Sequence, residues 1–190
     1  MKLPIIAYGD SVLRKKSADL TKDYPELEVL IANMFETMYG AHGVGLAAPQ
    51  IGLSVRLFVI DATSFAEDEP ALKDFKKTFI NAQVIEESGD KWSFNEGCLS
   101  IPEIREDVSR QDIIKISYYD ENWNHIEKSF SGLAARIIQH EYDHIEGKLF
   151  TDKLSPLRRA MLKNRLDSIS KGMVKVDYKM KFPALKKGKR

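Results

Sequence analysis

A single cysteine in 190 residues leaves no partner for an internal disulfide, so a disulfide scaffold is excluded by arithmetic. No apolar run approaches the ~20 residues that cross a bilayer, and the apolar stretch near Met1 is too short for a signal peptide. Internal repeats and long linkers are missing. So is any large charge imbalance, since 29 Lys and Arg face 28 Asp and Glu, for a formal charge of +1. With 43% apolar residues, the chain is expected to fold as one globular domain with a real core. A reducing cytoplasm, which preserves a lone thiol, is its expected home, with neither membrane nor DNA as a partner.

Against this background stands His140-Glu141-Tyr142-Asp143-His144. Residues four apart on a helix lie nearly one above the other, so both imidazoles can reach one ion. Glu141, about 100° round the helix from His140, can reach a water on that ion. The flanks support a helix, with Ser131 as N-cap and Gly147 as the residue just past its end. Leu133, Ile137, His140 and His144 recur at helical intervals, which predicts that the histidines share the apolar face turned to the core. Two ordinary buried histidines would give the same letters, so the motif needs company.

Two imidazoles are an incomplete site, because catalytic zinc-type centres take three protein ligands and keep one position open. Cys98, in Glu96-Gly97-Cys98-Leu99-Ser100, is a candidate third, a soft anionic donor suited to zinc or iron. Gly97 allows the backbone beside it to turn or approach closely. A buried thiol acting as a small hydrophobe is the alternative. A third cluster is Gly43-Val44-Gly45-Leu46-Ala47-Ala48-Pro49-Gln50, whose small residues let a backbone pass close to a substrate. Gln50 adds an uncharged donor of the kind that stabilises a developing oxyanion. The run also fits the loose dinucleotide pattern G-x-G-x-x-G/A, but that fingerprint needs a strand before it and a helix opening at the glycines. Here a helical pattern precedes and Pro49-Gln50 follows, so the dinucleotide reading is set aside.

Together these segments resemble the peptide deformylases. The family patterns G-x-G-x-A-A-x-Q, E-G-C-x-S and Q-H-E-x-D-H-x-x-G are matched at every fixed position, and in order, by residues 43–50, 96–100 and 139–147. The likeness spans about the first 155 to 170 residues. It implies an α+β fold in which antiparallel sheets pack around a central metal-binding helix carrying HEYDH. The implied activity is metal-dependent removal of the N-formyl group from the formyl-methionine of newly made polypeptides.

The resemblance further implies one divalent ion, typically Fe2+, with Zn2+, Ni2+ or Co2+ able to occupy the same ligands, held by Cys98, His140 and His144. Glu141 is then the acid and base, and Gln50 and the backbone N–H of Leu99 are the oxyanion donors. Gly45 pairs with the substrate main chain. Val44, Leu133, Arg136 and Ile137 are expected to line the pocket for the methionine side chain, although Leu133 and Ile137 are equally well explained as core. Arg105 matches a position near the substrate path, with a solvated surface charge as its alternative. A thiolate cancels one of the ion's two charges, so this centre should be a weaker Lewis acid than an all-imidazole one. An endoprotease built on the same His-Glu-x-x-His helix is a second reading, disfavoured by the upstream cysteine. A structural metal module is a third, disfavoured because three ligands leave a position open and structure alone gives no need for Glu141.

Periodicity places a helix over residues 25–39, with Asp23 and Glu26 as a capping box. Residues 55–61 and 78–80 read as strands, residues 114–118 and 126–130 as a hairpin leading into the metal helix, and residues 156–172 as a further helix. His42 and His125 are expected to be solvated. Residues 1–172 are expected to form a single catalytic domain. Residues 173–190 follow as a C-terminal strand and basic tail, part of that domain or partly frayed. Val174, Val176, Tyr178, Met180 and Phe182 alternate with polar residues, a period of two that predicts the strand. Residues 173–190 carry seven Lys or Arg against one Asp, a net +6, while residues 1–172 carry 22 basic against 27 acidic groups, a net −5. Such a tail either ends as a solvated, frayed segment or touches ribosomal RNA near the nascent-chain exit.

Overall fold

The computed structural model describes residues 1–183. The extreme end of the basic tail, residues 184–190, lies outside the described residues, and with it the expected frayed end or RNA contact. Five strands form one antiparallel sheet in chain order: β2 (Gly45–Ala47), β3 (Leu57–Asp61), β4 (Lys76–Cys98), β5 (Ile101–Tyr119) and β6 (His125–Ser131). The unbroken apolar run of β3 has a direct cause, because both of its faces are covered. Leu57 and Val59 face the cluster built on α1 (Leu27–Gly40), whereas Phe58 and Ile60 face the cluster built on α2 (Gly132–Ile145). Stacked aromatics fill the second cluster, with Phe79 lying 4.6 Å from Phe58 and 4.3 Å from Tyr118, ring to ring.

The strands expected at residues 78–80 and 114–118 are the two ends of a much longer hairpin. β4 and β5 run for 23 and 19 residues. Over residues 101–110 burial alternates nearly without break, but two of the inward positions are Glu106 and Arg110, which hides the strand from any apolar pattern. Glu106 is satisfied by Arg158 at 2.6 and 2.9 Å. Register shifts bend the hairpin, the last falling between Gly97 and Cys98, and a two-residue turn, Leu99 and Ser100, joins β4 to β5. A bulge at that point re-aims the side chain that follows it.

α1 begins two residues later than expected, and the capping box does not form. Its N-cap is Glu26, in left-handed backbone at φ 52 with no side-chain cap bond. α2 is the central helix that the resemblance implies, with more than the one apolar face buried. All of its residues but Gly132, His140 and Tyr142 are buried, so it is a central helix enclosed on nearly all sides rather than one with a single buried stripe. Ser131 is its N-cap but caps through no side-chain bond. Gly147, at φ 70, closes it, with Gly147 N–H donating to the His144 carbonyl (3.1 Å) and Lys148 N–H to that of Asp143 (2.8 Å). α3 (Pro156–Ser170) is capped as its sequence requires, the Ser155 hydroxyl accepting from Arg158 N–H at 3.2 Å.

The strand expected over residues 174–182 is corrected. Only β7 (Met180–Lys181) forms, and it pairs in parallel with β1 (Ile5–Ile6), so the second, two-stranded sheet is not antiparallel. The period of two still governs exposure, since residues 174, 176, 178, 180 and 182 are half-buried and the lysines between them exposed. Residues 175–178 border the main cleft, and among the described residues no strand pairs with them. Among the described residues, no helix is long and apolar enough to cross a membrane.

Candidate active site

α2, the end of β4 and the start of β2 converge at one point. There the ligand atoms of Cys98, His140 and His144 lie within 4.8 Å of one another, with Cys98 Sγ 3.4 Å from His144 Nε2. The helix spacing does what the sequence predicted: the two rings sit 5.1 Å apart, on one side of α2.

Each ring is prepared for a ligand role. Nδ1 of His140 lies 2.9 Å from Glu96 Oε2, an acceptor that fixes the tautomer and leaves Nε2 to turn toward the cluster. Glu96 is gripped in turn by Arg110, at 2.7 and 2.9 Å, and by Arg136 at 3.0 Å. Burial alone would raise the Glu96 pKa, but the bonds from Arg110 and His140 hold it well below the usual carboxylate range. Burial would likewise strip a proton from His140, yet the neighbouring Cys98 and Glu96 push its pKa up to about 10. The surroundings of His140 therefore favour positive charge. Burial first, and then the neighbouring His140, lower the His144 pKa well below the ordinary value, toward the uncharged form in which imidazole binds a cation.

A soft anionic sulfur and two imidazole nitrogens suit a divalent cation such as iron or zinc. Two further observations fit. Glu141 Oε2 and His144 Nδ1 are buried polar atoms with no hydrogen-bond partner among the described residues. Burial raises the Glu141 carboxyl to about 7, against the opposing pull of His140. Its other oxygen crowds the backbone of β2: a Cβ on Gly45 could not be placed without displacing the Glu141 side chain.

Gln50 sits in the 3₁₀ turn Ala48–Ile51, and its Oε1 accepts the Ala47 N–H at 2.9 Å. That bond orients the amide, so Nε2 points at Cys98 Sγ (3.4 Å) and Ser100 Oγ (3.3 Å). The cleft beside these groups encloses about 950 Å3. Val44, Leu133 and Ile137 lie on its wall, joined by Phe65 and Phe94, which the sequence did not single out. Arg136 also borders the cleft, but its guanidinium is occupied by Glu96, by the Val108 and Trp92 carbonyls (2.9 and 2.7 Å) and by the Trp92 ring beneath it. Arg105 is an exposed charge at the rim of the cleft, opposite Gly97 and bonded to Asn95 at 2.8 and 2.6 Å. His42 and His125 are exposed as expected, with His42 Nε2 3.0 Å from Asp177 Oδ2.

Sequence reasoning passed over Arg110, Asp143, Ser100 and Tyr178. Arg110 donates to Asp143 at 2.6 Å and so ties β5 to α2. Asp143 and Ser100 stand inside the quoted motifs and could have been asked for partners. Arg110 carries no local signal, and the alternation at residues 174–182 marks Tyr178 only as facing the protein.

Residues 2–160 match the family model described as Polypeptide deformylase. A peptide deformylase of Christiangramia forsetii is 61% identical over 100% of each chain, and one of Flavobacterium johnsoniae is 56% identical with the same coverage. The crystal structure of a peptide deformylase from Legionella pneumophila aligns with a TM-score of 0.79 and 38% identity, covering 91% of this chain and 98% of that one. Motifs, geometry and relatives agree: the chain belongs to the polypeptide deformylase family, metal-dependent hydrolases that remove a formyl group.

Proposed function

We propose that this chain takes the N-formyl-methionyl ends of newly made polypeptides as substrate, in the cytoplasm, with one divalent ion held by Cys98, His140 and His144. When bound, such an ion supplies Lewis acidity and makes water more acidic near neutral pH. Glu141 accepts a proton from the attacking water and returns it to the amide nitrogen as the C–N bond breaks, so that formate and a free α-amine leave. Gln50 Nε2 and the Leu99 N–H donate to the former formyl oxygen as charge develops on it. β2 is an edge strand of the sheet, which suits main-chain pairing with an extended peptide, and Gly45 leaves room there for the Glu141 carboxylate. Val44, Leu133 and Ile137, with Phe65 and Phe94, receive the methionine side chain, and the stem of Arg136 and the rim charge of Arg105 complete the wall. A formyl group has no side chain, so a site this crowded around Gly45 excludes ordinary peptide bonds.

The observation that carries this reading is the cluster of three ligand atoms within 4.8 Å, with the unpartnered carboxylate oxygen of Glu141 beside it. The test is formate release from a formyl-methionyl peptide by anaerobically metal-loaded protein. Cleavage of unformylated peptides instead would favour the endoprotease.

Fe2+ is the ion proposed, ahead of Zn2+, Ni2+ and Co2+, on the family resemblance and the mixed sulfur and nitrogen donor set. Iron-loaded protein should then lose activity faster in air than without oxygen, as ion and thiolate oxidise. Equal half-lives would overturn that choice. A contact between the basic C-terminal end and ribosomal RNA extends the reading, supported by the +6 charge of residues 173–190. Removal of residues 184–190 should then weaken co-sedimentation with ribosomes at low salt.

A further inference from the structure

The two-residue turn between Cys98 and Ile101 is held from outside the main sheet. Tyr8 N–H donates to the Ser100 carbonyl at 2.8 Å, and the Tyr178 hydroxyl donates to the Leu99 carbonyl at 2.8 Å. Both donors belong to the ribbon of β1 and β7. Tyr8 lies just past Ile6, Tyr178 lies just before Met180, and the two segments are locked in register by Ile5 N–H to the Lys179 carbonyl (2.8 Å) and Ala7 N–H to that of Lys181 (2.9 Å). Tyr178 is half-buried and packs with Leu99 on the cluster between α1 and β2, so its hydroxyl is delivered by a supported ring. Burial pushes its phenol above the ordinary value of 10, which agrees with its place as a donor to the Leu99 carbonyl.

We propose that Tyr178 is a positioning residue for deformylation: through the Leu99 carbonyl it fixes the turn, and with it the direction of the Leu99 N–H and the place of the Ser100 hydroxyl that accepts from Gln50. The inference rests on the reading of Leu99 and Gln50 as oxyanion donors. The Leu99 N–H and C=O lie on adjoining peptide planes that share one Cα, so rotation of the carbonyl plane is passed to the amide plane through two torsions. A neighbouring hydroxyl completes the chain of contacts, because Ser100 Oγ and Cys98 Sγ are the two acceptors of the Gln50 amide. Tyr178 itself borders the cleft but acts on the reacting atoms only through this turn.

The test is Tyr178→Phe in the full chain, which keeps the ring and its packing and removes only the hydroxyl. With metal content per chain equal to the parent, kcat for a formyl-methionyl tripeptide should fall about tenfold, the size of one neutral hydrogen bond at about 1.4 kcal/mol. KM should stay within about twofold, because the contact is proposed to serve the transition state rather than ground-state binding. A kcat per loaded chain equal to the parent's would overturn the proposal, and so would a loss confined to KM, which would make Tyr178 a wall of the cleft and nothing more. Independently of activity, amide hydrogen exchange at Leu99 and Ser100 should accelerate severalfold in Tyr178→Phe. Unchanged exchange would sink the brace. If the parent protein released no formate, the functional reading would fail while the exchange measurement still decided the brace.

Discussion

α2 and the turn after Cys98 bring ligands to the same candidate ion, yet they are held by different means. α2 carries most of its own instructions, histidines four apart and a closing Gly147, and takes from its neighbours its burial and Glu96, which sets the His140 ring. The turn has only two residues of its own and borrows its shape from elsewhere. β5 holds it from within the sheet, Gln50 from β2's side, and Tyr8 and Tyr178 from the terminal ribbon. A helix can thus announce half a metal site in five letters, while the other half depends on partners spread across the chain.

The contrast can be probed from each side. Glu141→Ala strikes the helix and should reduce kcat by about 10²- to 10⁴-fold while metal content is retained, measured by formate release against elemental analysis. Loss of the metal along with activity would show that Glu141 supports the ligands rather than the chemistry. Arg110→Met attacks the tie between the two regions. It leaves Glu96 and Asp143 as buried carboxylates without that partner, and should cost about 3–5 kcal/mol in chemical denaturation.

Acid acts on the same tie. Glu96 is held below its ordinary 4.5, despite burial, so its ionised form contributes stability above that pH, and the contribution is lost as pH falls below it. In Glu96→Gln that part of the acid sensitivity should be missing from a denaturation series between neutral pH and pH 3 or so. Gly45→Ala approaches the helix from β2. The new methyl must displace the Glu141 carboxylate, and a shift of about 1 Å is enough for about a 10²-fold loss of kcat. Ser155→Ala, remote from both regions, should remove the α3 cap at a cost of about 1 kcal/mol and leave kcat untouched.

What the sequence made legible follows the same division. HEYDH, the Cys98 motif and the Gly43 run are local, and each could be read because its chemistry lies within a few residues. Helix ends marked by Gly147, Ser155 and Gly172 were legible for the same reason. β5 was half hidden because Glu106 and Arg110 point inward, and a strand whose buried positions are charged looks exposed until Arg158 and Glu96 are placed beside it. The alternation at residues 174–182 told correctly which side chains face the protein. It could not tell which backbone lies alongside, since hydrogen-bond partners are set by tertiary neighbours and not by period. Asp23 and Glu26 had the right letters for a cap, but the chain enters α1 through a left-handed residue instead.

The pairing of Ile5 with Met180 joins two segments that lie far apart along the described residues. Loop closure costs about 0.6 kcal/mol more for each doubling of the intervening length, and contacts so distant in sequence form late. Tyr178 is also translated after every other residue that borders the cleft. A nascent copy can therefore wind α2 and pair β4 with β5 before its turn is clamped. The hydroxyl proposed to brace the turn is thus made only after every residue of the turn that it braces.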